Sequence, residues 1–306
     1  MRVMFAGSPA VALPALVSLH ESTHELVGVL SRAPRPVGRK RVITPTAVAT
    51  RTHELGLPLK TPTSDQEILA AVEQWKPDVA VVVAYGRLLS PEVIASVPHG
   101  WWNVHFSVLP RWRGAAPVQH ALLAGDETTG VTIFRIDHGL DTGEVSETAR
   151  LQLTGQETAG EVLESLAVLS VEPLMATLHG LESGALTLSP QVGEVSVAPK
   201  PGPNFGQLAW SESASEIPRR IRAATPEPGA FTTRLDTRQR VVVLKADPCS
   251  EPSGLTPGEL DGSTGKVIVG TGDGGLELIT VHPSGKRAMA ALDWFRGLPP
   301  GVILGG

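Results

Sequence analysis

Residues 78–84, Asp78-Val79-Ala80-Val81-Val82-Val83-Ala84, constrain the fold more than any other stretch. After Asp78 every residue is apolar and four of the six are valine, so the run has no polar face and both sides of the strand must be covered, as they are for a parallel strand inside an α/β sheet. The neighbouring stretches keep an alternating strand and helix rhythm. Residues 2–6 (RVMFA) read as a buried strand, and Gly7-Ser8-Pro9 leads into a helix expected over about Ala10 to Leu19, with Ser8 as its cap and Pro9 at its first position. A second strand is expected at Leu26 to Leu30, a helix from near Thr46, an extended Leu57 to Lys60, a helix over Asp65 to Trp75 and a strand over Val131 to Ile136. The longest helical pattern runs from about Thr158 to Ser183, and Pro173 near its middle predicts a kink or a break.

From about Ser189 to Gly206 the composition turns to Pro and Gly (SPQVGEVSVAPKPGPNFG), as in a linker. Beyond it a helix is expected at about Ser215 to Ala224. Short strands follow near Ala230 to Leu235, Arg240 to Ala246, Gly265 to Val269 and Leu276 to Val281, and their spacing suggests a small barrel. The expected architecture is α/β, a Rossmann-like and mostly parallel sheet over residues 1–188, a linker over 189–206, and a small C-terminal β-barrel over 207–306.

Composition narrows the function classes. Hydrophobic residues make up 42% and charged residues 19%, the profile of a folded globular chain. The net charge is −5, and residues 208–306 balance eleven Lys/Arg against eleven Asp/Glu, so any nucleic-acid contact must be local. One local candidate exists: Ser31 to Thr50 carries Arg32, Arg35, Arg39, Lys40 and Arg41 with no acidic residue, a composition that a solvated loop shares. The single cysteine, Cys249, excludes an internal disulfide and argues against a cysteine-based metal site. The N-terminal twenty residues read as strand plus helix rather than a signal peptide, and no uninterrupted apolar run approaches the ~18 residues of a membrane span. A cytoplasmic chain without a membrane partner is expected.

No GxGxxG follows the first strand, where the chain has only Ala6-Gly7-Ser8-Pro9, and no HExxH or His/Cys ligand spacing calls for a metal. Chemistry-bearing residues gather instead in Asn103-Val104-His105-Phe106-Ser107-Val108-Leu109-Pro110 and in Gly139-Leu140-Asp141-Thr142-Gly143. Spacing of i, i+2 puts Asn103 and His105 on one face of a strand. An amide NH2 and an imidazole N–H then face one space, where they would stabilise an oxyanion as a nucleophile adds to a carbonyl. A nearby carboxylate such as Asp141 would fix the imidazole tautomer and raise its basicity. Taken alone, residues of these types are more often satisfied structural groups, and His138 reads as a polar loop residue.

The segment NVHFSVLPRWRGAAPVQ with the later GLDTG closely resembles the methionyl-tRNA formyltransferase family, as do MRVMFAGSP and PRRIRAATPEPGAF, the similarity weakening after about Phe231. The family's Ser-Leu-Leu-Pro run differs here only in Val108, a change conservative in bulk and polarity. The resemblance implies the formyltransferase fold with an oligonucleotide-binding-type barrel at the C-terminus; a monomer is expected. It implies Asn103, His105 and Asp141 as catalytic residues, and Ser107, Val108, Leu109, Pro110, Arg87, Leu88 and Leu89 along the folate of a 10-formyltetrahydrofolate donor. It implies Arg39, Lys40 and Arg41 as contacts to methionyl initiator tRNA. Val197-Ala198-Pro199-Lys200 matches a Tyr-Ala-x-Lys element only in its Ala and Lys, which makes Lys200 a further RNA candidate. No metal is implied. The same constellation would serve another 10-formyltetrahydrofolate-dependent transferase or hydrolase acting on a sugar amine, a nucleotide amine or water; the second domain and the basic loop favour tRNA.

Overall fold

Val79–Val83, buried along its whole length, lies within a seven-stranded sheet. The computed structural model describes residues 1–38, 40–249 and 254–305. In chain order the first strands are β1 (Arg2–Gly7), β2 (Glu25–Leu30), β3 (Arg35–Val37), β4 (Val42–Thr44), β5 (Leu59–Lys60), β6 (Val79–Val83), β7 (Trp101–His105), β8 (Thr128–Arg135) and β9 (Val145–Gln152). The sheet runs β5-β2-β1-β6-β7-β8-β9, parallel from β5 through β7, with β8 antiparallel to β7. The α-helices are α1 (Leu13–Glu21), α2 (Ala47–Glu54), α3 (Asp65–Trp75), α4 (Pro91–Ala95), α5 (Pro117–Ala124), α6 (Ala159–Leu169), α7 (Val171–Ser183), α8 (Glu216–Ala224) and α9 (Ala291–Phe295). The α/β class expected from the valine run is what the chain adopts.

Packing follows from the residue pattern. In α3, Ile68, Ala71, Val72 and Trp75 recur on one face and are buried, and Ser64 caps the helix by accepting from Glu67 N–H. Gly28 in β2 permits this contact, because a Cβ there would fall 2.5 Å from the Trp75 ring. Chain direction also sets the active edge: β2 and β5 lie on one side of β1, β6 and β7 on the other, so the order reverses between β1 and β6. The crevice at the carboxyl ends of such strands is where open α/β sheets hold ligands.

Two local expectations are corrected. Ser8 does not cap a helix at Ala10; its Oγ donates to Tyr85 O at 3.1 Å and accepts from Arg32 N at 3.3 Å. The chain instead makes a single 3-10 turn over Ala10–Ala12 before α1 begins at Leu13. The long helical pattern does break, but at Ser170, and Pro173 sits in the first turn of α7, where its missing N–H has no intrahelical acceptor to lose. Residues Ala159–Ser183 together are long and apolar enough by composition to cross a bilayer, yet Leu166, Leu174 and Leu178 are fully buried within the protein, as in core helices.

Compactness does not follow chain order. One unit comprises Met1–Gly114, Thr128–Leu151 and Leu163–Val197, the other Ala115–Glu127, Gln152–Val162 and Ala198–Gly306. The second unit contains an antiparallel sheet built from β10 (Phe231–Arg234), β11 (Arg240–Pro248), β12 (Leu260–Asp261), β13 (Val267–Gly270), β14 (Gly275–Pro283), β15 (Met289–Ala290) and β16 (Leu304–Gly305). Their order is β12-β13-β14-β11-β10-β16, a near-barrel around Trp210, Ile217, Ile221, Val241, Val243, Val281 and Trp294. Register shifts in β11 on both sides of Lys245 let the sheet curl. The arginines of α8 pack within this unit. Arg220 pairs with Glu212 at 2.9 Å, burial lowers the pKa of Arg222, and Arg219 lies where a Cβ on Gly125, the left-handed cap of α5, would come within 2.6 Å.

Candidate active site

β7 presents the candidate residues because its neighbours fix its register. Trp101 and Trp102 are buried, and their indole N–H groups donate to Val93 O and His99 O, both at 2.8 Å. Asn103 pairs across β6 with Val82 and across β8 with Phe134, while His105 lies opposite Thr132. The Asn103 side chain is half-buried and makes no hydrogen bond to a described residue. Its amide N–H groups are therefore available to a substrate oxygen.

His105 is 5% exposed, with one ring nitrogen hydrogen-bonded and the other facing a carboxylate. Nε2 lies 2.9 Å from Trp112 O, and since a carbonyl only accepts, Nε2 carries the proton. Nδ1 faces Asp141 Oδ2 at 3.7 Å, and the edge of Phe134 packs on the ring at 6.3 Å between centroids. Burial pulls the imidazole pKa below its ordinary 6.5; the Asp141 charge and the Trp112 carbonyl offset only part of this. Proximity to the carboxylate was expected to raise basicity, and desolvation outweighs it. The N–H expected to serve an oxyanion is likewise taken, by Trp112.

Asp141 sits in the left-handed region at φ +52 and accepts from Gly114 N at 2.7 Å. Its turn is shaped by Asp137, whose Oδ1 accepts from Gly139 N at 3.0 Å and Thr142 Oγ1 at 2.6 Å. Gly143 is required, because a Cβ there would fall 1.7 Å from Arg135 O. Gln191 donates to the carbonyls of Asp141 and Gly143 at 2.8 and 2.9 Å.

The loop after His105 is pinned from β8. Thr132 Oγ1 donates to Ser107 O at 2.7 Å and accepts from Leu109 N at 3.1 Å, and Ser107 Oγ donates to Arg111 O at 2.6 Å. Ser107, Leu109 and Pro110 are buried, Val108 is partly open, and the Leu109-Pro110 peptide is cis. Ser107 thus has its hydroxyl committed and is no free nucleophile.

At the end of β6, Tyr85 is buried, its hydroxyl has no partner among the described residues, and burial pushes its pKa up to about 12. The Arg87 guanidinium donates to Thr63 O at 2.7 Å and Asp65 Oδ1 at 2.8 Å, so that side chain anchors the loop. Leu88 is 84% exposed and Leu89 packs on the core. The segments holding Arg87–Leu89 and Ser107–Pro110 therefore follow adjacent parallel strands at the same edge.

The basic loop is an exposed antiparallel hairpin, β3 with β4, its base tied to this edge by Arg32 Nη1 donating to Gly86 O at 2.7 Å. Lys40 and Arg41 are exposed in its turn; Arg39 lies outside the described residues. Lys200 is exposed in the second unit. Sequence reasoning missed Thr132, Asp137, Gln191 and Ser196. Only Asp137 carried a readable signal, an Asp two residues before a Gly, which favours an Asx turn.

An amide donor beside an imidazole and carboxylate, with the Ser107 hydroxyl committed, suits direct addition of an amine to a carbonyl carbon. Comparisons with known proteins agree in class. The formyl transferase family model matches residues 1–178, and the formyl transferase C-terminal domain model matches 202–299. The methionyl-tRNA formyltransferase of Arthrobacter sp. (strain FB24) is 47% identical over 301 residues, 97% of each chain. That of Clavibacter michiganensis subsp. michiganensis (strain NCPPB 382) is 42% identical over 299 residues, again 97% of each. HypX from Aquifex aeolicus, solved with tetrahydrofolic acid, superposes with a TM-score of 0.68 at 19% identity, covering 96% of this chain and 47% of that one. The methionyl-tRNA formyltransferase from Clostridium thermocellum superposes with a TM-score of 0.59 at 17% identity, covering 83% and 95%. At such identities the two structures speak to the fold.

Proposed function

The chain belongs to the methionyl-tRNA formyltransferase family, and on that premise we propose that it moves the formyl group of 10-formyltetrahydrofolate to the α-amine of methionyl initiator tRNA through Asn103, His105 and Asp141. The observation that carries the residue assignment is the pairing of an uncommitted Asn103 amide with a buried His105 whose Nδ1 faces Asp141 at 3.7 Å.

The unprotonated amine adds to the formyl carbon, and the carbonyl oxygen takes the negative charge. Asn103 N–H donates to that oxygen. His105, held by its Nε2–H on Trp112 O, accepts the amine proton at Nδ1, and Asp141 balances the imidazolium. As the bond to the folate nitrogen breaks, the proton passes to that leaving nitrogen. Leu88 after β6 and Leu140 beside Asp141 are apolar side chains left 84% and 54% open, surface of the kind a pterin ring covers. Residues 1–188 would do this chemistry, with Arg39, Lys40 and Arg41 on the acceptor stem, while Lys200 and residues 207–306 contact RNA further along. A monomer working in the cytoplasm, where translation starts, fits this role.

An acceptor screen tests the reading: labelled formyl donor offered with charged initiator tRNA, charged elongator tRNA and free methionine. Preferential labelling of the initiator is expected. Equal labelling of free methionine, or release of formate alone, would overturn it.

A further inference from the structure

Residues 189–197, which composition marks as linker, form a strap that holds both partners of the His105 ring. At one end Ser189 pairs with Val145 through N–H···O bonds of 2.8 and 2.9 Å. At the other, Ser196 Oγ accepts from Trp112 N at 2.9 Å, Ser196 O accepts from Arg113 N at 2.9 Å, and Val197 bridges Arg113. That grip fixes Trp112 in its left-handed conformation, φ +65, with its carbonyl turned to His105 Nε2. Between the two ends stands Gln191. Its Oε1 accepts from Arg113 Nε at 3.1 Å and Nη2 at 2.7 Å, and its Nε2 donates both protons, one to Asp141 O and one to Gly143 O.

We propose that Gln191 is a positioning residue for formyl transfer, holding Asp141 against His105 by tying the backbone of the Asp141 turn to the Trp112-Arg113 segment that orients the ring. The inference rests on the reading of Asn103, His105 and Asp141 given above. A neutral amide is what this position requires. It must accept from a guanidinium on one side and donate twice to carbonyls on the other, a combination that Glu, Met or Leu cannot supply. Without the clamp, the Asp141 turn depends on Gly114 N and on the Asp137 contacts to hold a non-glycine residue at positive φ. The carboxylate then drifts from Nδ1, which costs rate without touching either substrate.

The test uses full-length Gln191→Met, Gln191→Glu and, as a control, Val192→Ala, whose side chain is 84% exposed. In Gln191→Met, kcat for formyl transfer should fall roughly a hundredfold, as for a displacement of about an ångström at a reacting group. KM for donor and tRNA should stay within about threefold. The NMR titration midpoint of His105 in the substrate-free protein should move to lower pH, because Asp141 is the charged group facing the ring and its nearness raises that midpoint. Gln191→Glu keeps an acceptor for Arg113 but loses both donors, and should be as slow as Gln191→Met. An unmoved His105 midpoint in Gln191→Met, a loss of kcat no larger than the loss of folded protein, or restored activity in Gln191→Glu would each overturn the proposal. Since the titration needs no substrate, it judges Gln191 even if the wild type failed the acceptor screen.

Discussion

His105 Nδ1 stands 3.7 Å from Asp141 Oδ2 while Nε2–H of the same ring is donated to Trp112 O at 2.9 Å. In the neutral ring Nδ1 is then a lone-pair nitrogen facing a carboxylate, an arrangement that gains by accepting a proton and places its charge beside a counter-ion.

Replacing Asp141 by Asn keeps an acceptor for Gly114 N–H and removes the counter-charge. Single-turnover formyl transfer should fall by roughly two orders of magnitude with little change in donor affinity. Near-normal transfer in Asp141→Asn would take the carboxylate out of the mechanism.

Asn103 supplies donors that nothing in the described protein engages. Asn103→Ala should lower kcat by about a hundredfold or more, the usual loss for one oxyanion donor. The His105 titration should stay where it is. A loss expressed only in KM would instead make Asn103 a binding residue.

His105 also sets a pH dependence of stability. Its folded-state pKa lies below 6.5, so above that value the ring is neutral in both states and contributes no slope. As pH falls past 6.5 the unfolded chain takes up the proton first, and stability is lost down through the folded-state value. Urea unfolding across this window should show a shallower decline in His105→Gln than in the wild type. Identical declines would mean that the buried ring is not the source.

Folate ligands should slow amide exchange in two stretches, Tyr85 to Leu89 and Ser107 to Pro110, which end adjacent strands of the sheet. Protection confined to residues 207–306 in a hydrogen-exchange experiment would put the donor elsewhere.

Arg39→Ala should weaken tRNA use, leave folate binding intact and reduce the slope of log affinity against log salt by about one phosphate contact. tRNA binding measured across a salt series decides this. Unchanged affinity with an unchanged slope would make the hairpin an ordinary solvated one.

Local pattern was enough for the frame of this protein. The valine run of β6 could only be a strand covered on both faces, the period of 2 put Asn103 and His105 on one side of β7, and apolar spacing marked α3 and α8 within a residue or so. These features depend on residues a few positions apart, so periodicity carries them. Tertiary structure decided what those side chains do. β9 escaped detection because an edge strand reading VSETARLQ needs cover on one face only. Ser8 bonds Tyr85 across 77 positions instead of capping a helix, and the α8 arginines find Glu212 and the end of α5. Desolvation, a property of the packed interior, reversed the basicity that an adjacent carboxylate would confer on His105. The partners that orient the ring come from Trp112 and from a strap some 80 positions further on, through bonds that span 84 and 78 positions of the chain. No local signal encodes such contacts, because they exist only once the sheet has brought both segments to the same edge.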